Sequence, residues 1–330
     1  SPPSARARET VAALPAPRVP PEAPARPWLW PAVPIVHAVA GHRRHRGSAP
    51  RVAPVPVVSI GGLTAGGTGK TPVTGWLAAR LPGAWVLGRG YRRPGGGTDA
   101  RIGRPGIPPT LPLGDELEML RRRGIPVVSC PDRYRGAWLA AEAGARLILL
   151  DDGFQHRRLQ RDLDIVCIDA RWPTGRGLIP VGTGRETWRA LDRADFVWVH
   201  NVEALETPWS VPGPGAVLPQ VRSQSVPDHW RWGPDARALS SVRGPVVAVA
   251  GLARPGGFLG QLADQRLSVT RVDLRPDHAP LDGVPSDAVM TEKDAARLPE
   301  GTARALVCRL EVSGAGPLLH RIRSLVGDPP

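Results

Sequence analysis

Short apolar runs alternate with stretches of mixed polar and apolar residues along most of the chain. Apolar runs bounded by glycine, proline or charged residues are typical of buried strands, and the longer mixed stretches between them are typical of helices. The predicted helices follow Lys70 and span Asp115–Arg123 and Arg133–Ala143. The predicted strands of this first set are Val55–Ile60, Ala84–Leu87, Ile125–Ser129, Leu147–Asp151, Asp164–Asp169 and Phe196–His200.

A second alternating set follows an irregular stretch, rich in proline, serine and glycine, from Glu203 to about Pro227. Its predicted strands are Pro245–Ala250, Ser268–Leu274, Ala288–Thr291 and Ala305–Leu310. This order predicts an α/β fold, a mostly parallel sheet covered by helices with a second, smaller α/β lobe. We expect a tail and leader at residues 1–50, a core at 51–225 and a second lobe at 226–330, with a ligand site in the cleft that the second lobe closes.

Composition narrows the class of protein. The chain has 330 residues and is 42% hydrophobic, which is enough for a large core. Its three cysteines, Cys130, Cys167 and Cys308, are far apart and are expected to be buried thiols in a reducing compartment. The net charge of +13 suits anionic partners such as phosphates, an anionic membrane face or nucleic acid. We do not expect nucleic-acid binding, because the basic residues do not interleave with aromatic residues along a patch.

Basic charge is concentrated at the N-terminal end, where residues 1–51 hold eight arginines and two glutamates. Residues 1–26 are rich in proline, alanine and arginine and are expected to be disordered. Trp28 and Trp30 then open an apolar run to Ala40, and three arginines follow it. The run is shorter than the ~20 residues of a membrane span but resembles an interfacial anchor. The alternative is a leader helix that packs on the protein's own core.

A glycine-rich turn links the first predicted strand to the first predicted helix. It contains Gly66, Gly67, Thr68, Gly69, Lys70 and Thr71. This layout is that of a P-loop, in which backbone N–H groups and the helix N-terminus hold polyphosphate oxygens, the lysine follows the β- and γ-phosphates, and the threonine hydroxyl binds Mg²⁺. Thr64 stands where the general pattern has glycine, and the Gly66-Gly67 pair can supply the flexibility. The alternative is a glycine-rich turn without a ligand.

Two carboxylates, Asp151 and Asp152, end the apolar run that starts at Leu147. This is the form of a Walker B element, which holds Mg²⁺ directly or through water. Gln155 and His156 follow at the same predicted strand end. Acidic pairs after strands also cap helices, so the pair alone leaves both roles open.

Further candidates lie at predicted loop and helix starts. Asp115 is either a general base or a helix N-cap. His278, next to Asp277 in a second-lobe loop, is either structural or a partner for a catalytic carboxylate. Lysine occurs only twice, at Lys70 and Lys293, against 41 arginines. Lys293 either contacts a phosphate or carboxylate or belongs to a charged helix start.

Arginines in loops after predicted strands are candidate contacts for a phosphate on the acceptor, since a forked guanidinium fits phosphate oxygens. Surface solvation is the alternative for each of them. They are Arg89, Arg92 and Arg93 around Gly90-Tyr91, and Arg185 beside Glu186.

Taken together, these blocks resemble the tetraacyldisaccharide 4′-kinase family, the lipid A 4′-kinases, over about residues 55–310. The blocks are Gly66–Pro72, Arg89-Gly90-Tyr91, Gly114-Asp115-Glu116, Asp151–His156, Arg161-Asp162, Arg185-Glu186, Asp277-His278 and Thr291–Asp294. The resemblance implies transfer of the ATP γ-phosphoryl group to the 4′-hydroxyl of a lipid-linked glucosamine disaccharide 1-phosphate. It also implies peripheral attachment to the cytoplasmic face of the bacterial inner membrane, and we expect a monomer.

The resemblance implies roles for residues as well. Lys70 and Thr71 would bind nucleotide phosphates and Mg²⁺, Asp115 would be the base paired with His278, and Asp151 with Asp152 would organise the metal. The candidate substrate contacts are Arg89, Arg92, Gln155, His156, Arg185 and Glu186. The rival hypothesis is a nucleotide-switched P-loop regulator that binds a partner. It would need the P-loop and Asp151-Asp152 but not Asp115 paired with His278.

Overall fold

The computed structural model describes residues 26–37, 49–90, 93, 97–173, 177–202, 205, 209–252, 255–275 and 280–327. The helices are α1 (residues 32–37), α2 (Lys70–Ala78), α3 (Asp115–Arg122), α4 (Arg133–Glu142), α5 (Gly256–Asp264), α6 (Glu292–Ala295) and α7 (Gly316–Leu325), with 3-10 turns at Pro27–Leu29, Trp188–Arg193, Gly213–Val217 and Leu239–Ser241. The strands are β1 (Val57–Gly62), β2 (Ala84–Gly88), β3 (Arg101–Gly103), β4 (Val127–Ser129), β5 (Leu147–Asp151), β6 (Leu163–Asp169), β7 (Phe196–His200), β8 (Gln220–Trp232), β9 (Asp235–Arg237), β10 (Pro245–Ala250), β11 (Ser268–Leu274), β12 (Ala288–Thr291) and β13 (Arg304–Ser313).

These strands form one sheet in the order β11-β10-β12-β13-β8-β7-β6-β1-β5-β2-β4-β3, with β9 on β8. The β13–β8, β3–β4 and β8–β9 pairs are antiparallel, and the other pairs are parallel. The mostly parallel sheet with its helices confirms the predicted α/β class. Because β7, β6, β1, β5 and β2 are parallel neighbours, their carboxyl ends meet at one edge, where a ligand site is expected.

Helices cover both faces of this sheet, as the side chains of β1 illustrate. Val58 and Ile60 pack with Val73 and Leu77 of α2 on one face. Val57 packs on the other face, in the cluster that contains Ala137 and Ala140 of α4. The alternation follows from the period of two in a strand, and burial on both faces explains why the strand is an almost continuous apolar run.

The long strand β8 joins the two parts of the sheet. Residues Gln220 to Ser223 of β8 pair with β7. Residues Arg222 to Arg231 of β8 pair with β13. The division expected at residue 225 therefore falls inside a strand that both parts share. We call residues 51–225 the front half and residues 226–330 the rear half.

Five of the ten predicted strands have the expected bounds, and the other five differ by one to three residues at one or both ends. β1 starts at Val57, immediately after Pro56, which has no N–H to donate to a neighbouring strand. β13 runs on to Ser313 because its later residues pair with β8. The sequence did not predict β8 itself, whose side chains are mostly half-buried or exposed and which contains Pro227.

The described part of the leader starts with Arg26, whose N–H donates to Val181 O, and continues into α1. Trp28, Trp30 and Ile35 are 74%, 58% and 66% exposed, whereas Val33 is buried. Among the residues that the structure describes, no helix has the length and apolar character needed to cross a membrane.

Candidate active site

The P-loop connects β1 to α2. Gly66, Gly67 and Gly69 have φ values of 72°, 56° and 73°, in the left-handed region that favours glycine. Gly69 is the N-cap of α2, so Lys70 is the first helical residue. Its Nζ donates to Thr68 Oγ1 at 3.2 Å and lies 3.6 Å from Asp152 Oδ1. Backbone N–H groups and a lysine ammonium therefore stand at the N-terminus of a helix, as phosphate binding requires.

Asp151, at the end of β5, lies directly beside this helix start. Its carboxylate accepts hydrogen bonds from Thr71 Oγ1 at 3.0 Å and from Thr74 Oγ1 at 3.3 Å. Burial raises the pKa of Asp151 to about 7, and the negative charges of Glu116 and Asp152 add to this rise. A buried carboxylate among like charges is stabilised by a cation, so the site fits a divalent metal.

The next carboxylate, Asp152, has the opposite electrostatic balance. Burial would raise its pKa, but the charges of Lys70 and Arg185 lower it overall. Arg185 Nη1 donates to Asp152 Oδ1 at 2.7 Å. Asp152 has φ of 56°, a strained value for a residue other than glycine, and such backbone strain is concentrated at functional sites.

Three of the predicted substrate contacts belong to one hydrogen-bond network at this strand edge. Gln155 Nε2 donates to Gly62 O at 3.0 Å and to Glu186 Oε1 at 3.1 Å. Arg185 Nη1 donates to Gln155 Oε1 at 3.2 Å, which links the network to Asp152. The network therefore ties the end of β1 to the loop that carries Arg185 and Glu186.

His156 and Arg133 lie farther along the same edge. Burial lowers the pKa of His156 to about 4, assisted by the positive charge of Arg133, so its imidazole is neutral at pH 7. Arg133, the first residue of α4, is itself buried, and burial with the charge of Arg89 lowers its pKa to about 10. No signal in the sequence identifies Arg133, because an arginine at a helix start gives no sign that it will be buried near Asp152.

Asp115 is the first residue of α3, and the N-cap position belongs to Gly114. The alternative role of Asp115 as the helix N-cap is therefore wrong. Its Oδ1 accepts the N–H of Glu116 at 3.0 Å. The first turn of α3 packs at the carboxyl end of β2, where the Leu117 side chain lies against Gly88, and β2 is the neighbour of β5, which ends at Asp151.

The rear half meets this helix start through Lys293 of α6. Its Nζ lies 3.3 Å from Glu116 Oε1 and 3.9 Å from Asp115 Oδ2. At the other end of α3, Arg123 pairs with Glu292. Both lysines of the chain therefore stand beside the predicted catalytic carboxylates, one from each half.

A cavity of about 1160 Å³ opens next to Asp115. The front half contributes Leu113 and Gly114 to its lining, and the rear half contributes Leu281 and Asp282. His278 lies among residues 276–279, outside the described part of the chain, as does Arg92, so the pairing of Asp115 with His278 stays a prediction. Arg89 is described and exposed at the end of β2.

One buried residue at the P-loop was not predicted to belong to the site. His200, the last residue of β7, lies against Gly69, where any side chain on Gly69 would overlap its imidazole. Ser223 Oγ lies 2.7 Å from His200 Nδ1 and accepts the indole N–H of Trp198 at 2.8 Å. Burial lowers the pKa of His200 to about 4, so a neutral ring supports the loop at pH 7. The only signal in the sequence was a polar residue at the end of an apolar strand.

Known proteins resemble this chain over most of its length. The sequence profile of the family described as tetraacyldisaccharide-1-P 4′-kinase matches residues 25–325. The tetraacyldisaccharide 4′-kinase of Anaeromyxobacter sp. (strain K) is 40% identical over 308 aligned residues, covering 83% of this chain and 81% of that protein. The enzyme of the same name from Pelobacter propionicus is 36% identical over 316 aligned residues, covering 84% of each chain.

A solved structure gives the same result in three dimensions. The crystal structure of LpxK from Aquifex aeolicus in complex with ATP superposes with a TM-score of 0.76 at 26% sequence identity. The match covers 91% of this chain and 99% of that one. The family predicted from the sequence is confirmed, and the chain belongs to the tetraacyldisaccharide 4′-kinase family of ATP-dependent phosphotransferases.

Proposed function

We propose that this protein transfers the γ-phosphoryl group of ATP to the 4′-hydroxyl of a tetraacylated glucosamine disaccharide 1-phosphate in lipid A biosynthesis. The observation that carries the proposal is the grouping of Lys70, Asp151 and Asp152 with the start of α3, where Asp115 lies. Phosphoryl transfer asks a protein mainly to position the reactants and neutralise charge. The alternative regulator would have no use for Asp115, and membership of the kinase family does not favour it.

The front half would bind the nucleotide. Backbone N–H groups from Gly66 to Lys70 and the Lys70 ammonium would contact the β- and γ-phosphates. Thr71, Asp151 and Asp152 would hold Mg²⁺, since its sites in nucleotide enzymes combine one or two carboxylates with substrate phosphates. When bound, the ion would neutralise charge on the phosphate oxygens.

Asp115 would be the general base, with His278 of the rear half as its orienting partner. Its carboxylate would accept the proton of the 4′-hydroxyl as that oxygen forms a bond to the γ-phosphorus. The bond from the γ-phosphorus to the bridging oxygen would break, and ADP would leave. A positioned base of this kind contributes roughly 10²- to 10⁴-fold to a rate.

The acceptor would lie along the strand edge and extend toward the cavity beside Asp115. Gln155, Glu186 and neutral His156 offer hydrogen-bonding groups suited to sugar hydroxyls. Arg89, Arg92 and Arg185 offer guanidinium groups suited to phosphate oxygens.

The leader would hold the enzyme at the cytoplasmic face of the inner membrane, where an acylated acceptor resides. Exposed Trp28 and Trp30 suit the headgroup region of a bilayer. The protein would act there as a peripheral monomer, with the rear half closing over the nucleotide-binding front half.

Radiolabelled ATP and a lipid A precursor in detergent micelles test the proposal. Acceptor-dependent label in the lipid is the expected result, whereas slow acceptor-independent phosphate release would support the regulator. Asp115→Asn should reduce transfer at least about 100-fold while leaving ATP affinity unchanged. Glu142→Gln, at the exposed end of α4, is the control and should behave as the unaltered enzyme. Full turnover in the Asp115 variant would refute the assignment of the base.

A further inference from the structure

We propose that Lys293 is a positioning residue for phosphoryl transfer, supplied by the rear half to fix the orientation of the Asp115 carboxylate. The inference rests on the proposed role of Asp115 as the base. Lys293 belongs to the described part of the rear half, and its side chain contacts the start of α3.

The contact joins three charged groups in a partly enclosed position. The Lys293 side chain is 21% exposed, and that of Asp115 is 6% exposed. Asp115 and Glu116 are consecutive residues in the first turn of α3, so their carboxylates repel each other at short range. The Lys293 ammonium lies 3.3 Å from the Glu116 carboxylate and 3.9 Å from the Asp115 carboxylate. It attracts both carboxylates and restricts the direction in which each can point.

The backbone of Lys293 is held firmly enough to aim its side chain. Thr291 is the N-cap of α6, and its hydroxyl oxygen accepts the N–H of Asp294. The Asp294 carboxylate is fully buried, accepts the N–H of Gly251 at 3.1 Å and pairs with Arg297. These bonds fix the short helix to the end of β10, so the lysine stem starts from a defined point.

Lys293 is not required to hold the two helices together, because other bonds do so at the opposite end of α3. Arg122 donates to Ala295 O at 3.1 Å and to Leu298 O at 3.0 Å. Arg123 donates through Nε to Glu292 Oε2 at 3.0 Å. The packing of α3 on α6 and the orientation of Asp115 can therefore be separated by mutation.

The residue type supports a geometric role. The chain uses arginine at 41 basic positions and lysine only at positions 70 and 293. Arginine has a planar fork that favours bidentate pairing with one carboxylate, whereas lysine is a compact point charge that can sit between two. An arginine at position 293 would therefore pair with one of the two carboxylates and change the direction of the other.

The test measures acceptor-dependent label transfer at saturating ATP and acceptor, with ATP affinity measured separately. Lys293→Met keeps most of the aliphatic stem and removes the charge. We expect its kcat to fall roughly 10- to 100-fold, the scale of a lost ion pair between partly buried groups, with ATP affinity within about threefold. Lys293→Arg should lose a similar factor. The matched control is Arg123→Ala, which removes the pairing with Glu292 at the far end of α3 and should keep kcat within about threefold.

Restoring activity with an added cation distinguishes a misoriented Asp115 carboxylate from a misfolded variant. Ethylammonium should restore part of the kcat lost in Lys293→Ala, and guanidinium should restore less, because only ethylammonium carries its charge on one nitrogen as lysine does. The inference is overturned if Lys293→Met or Lys293→Arg turns over normally, if Arg123→Ala is as impaired as Lys293→Met, or if ethylammonium rescues nothing. Full activity in Asp115→Asn would instead overturn the proposed base itself, which keeps the two failures distinct.

Discussion

The buried imidazole of His200 predicts how stability changes with pH. An exposed histidine has a pKa of about 6.5, and burial lowers the pKa of His200 to about 4 in the folded protein. Between these values the unfolded chain binds a proton that the folded protein does not. Stability is therefore lost as the pH falls from about 6.5 toward 4.

The size of the effect follows from the two pKa values. Near pH 7.5 both states hold a neutral imidazole, and the contribution to the pH dependence is close to zero. At pH 4.5 the unfolded chain is almost fully protonated at this site, and the linkage relation gives a loss of about 2 to 3 kcal/mol in the free energy of unfolding.

A variant that cannot titrate isolates this contribution. His200→Gln keeps a side chain with a donor and an acceptor but no group that ionises in this range. It loses some stability at all pH values, because the imidazole packs on Gly69 and contacts Ser223. The difference in unfolding free energy between the unaltered protein and the variant should shrink by about 2 to 3 kcal/mol between pH 7.5 and pH 4.5.

Urea unfolding followed by tryptophan fluorescence at several pH values measures this difference. Val199→Ala, a buried apolar residue of the same strand, is the control, and its difference from the unaltered protein should stay constant with pH because valine does not ionise. A difference for His200→Gln that stays constant from pH 7.5 to pH 4.5 would refute the reasoning, because it would mean that the imidazole becomes protonated inside the folded protein.

Two further changes probe the loop and the leader. Gly69→Ala should lower ATP affinity at least about tenfold in a binding assay, because the added Cβ would overlap His200 and φ is 73°. Gly66→Ala has nearly the same φ with open space around it, so its loss should be smaller; equal losses would rule out the steric cause. Replacing Trp28 and Trp30 together by serine should reduce sedimentation with anionic vesicles several-fold, since each ring contributes apolar area at the headgroup level. Trp138→Ser, which replaces an exposed tryptophan of α4, should sediment normally, and unchanged binding of the double variant would contradict the leader's role.

The strands at the centre of the sheet could be predicted because their signal is local. Leu147–Asp151 and Phe196–His200 have the predicted bounds, since burial on both faces makes each a continuous apolar run. β8 could not be found this way, because its pairing with β13 involves residues about 80 positions away and its side chains lack an apolar period. The strand forms because of its pairing with β13, and a short stretch of sequence carries no information about such distant contacts.

The residues of the site also fall into two groups, those that a local sequence motif predicts and those that only the folded structure brings together. The P-loop and the carboxylates after β5 were predictable because motif spacing reports on the elements that hold them. A phosphate or carboxylate contact of Lys293 was expected, but not its partners at the start of α3, since these depend on how two distant helices pack. His200 gave no motif at all, and only the approach of β7 to Gly69 identifies it.

The strand β8 has a consequence for how the molecule can be divided. A polypeptide that stops at residue 225 would end after the sixth residue of β8 and would lack β13, so a long strand edge would be left open to solvent. Unpaired edges of this kind recruit other chains and aggregate. Expression of either half alone should therefore give insoluble material, and the whole protein should melt in a single cooperative step rather than in two.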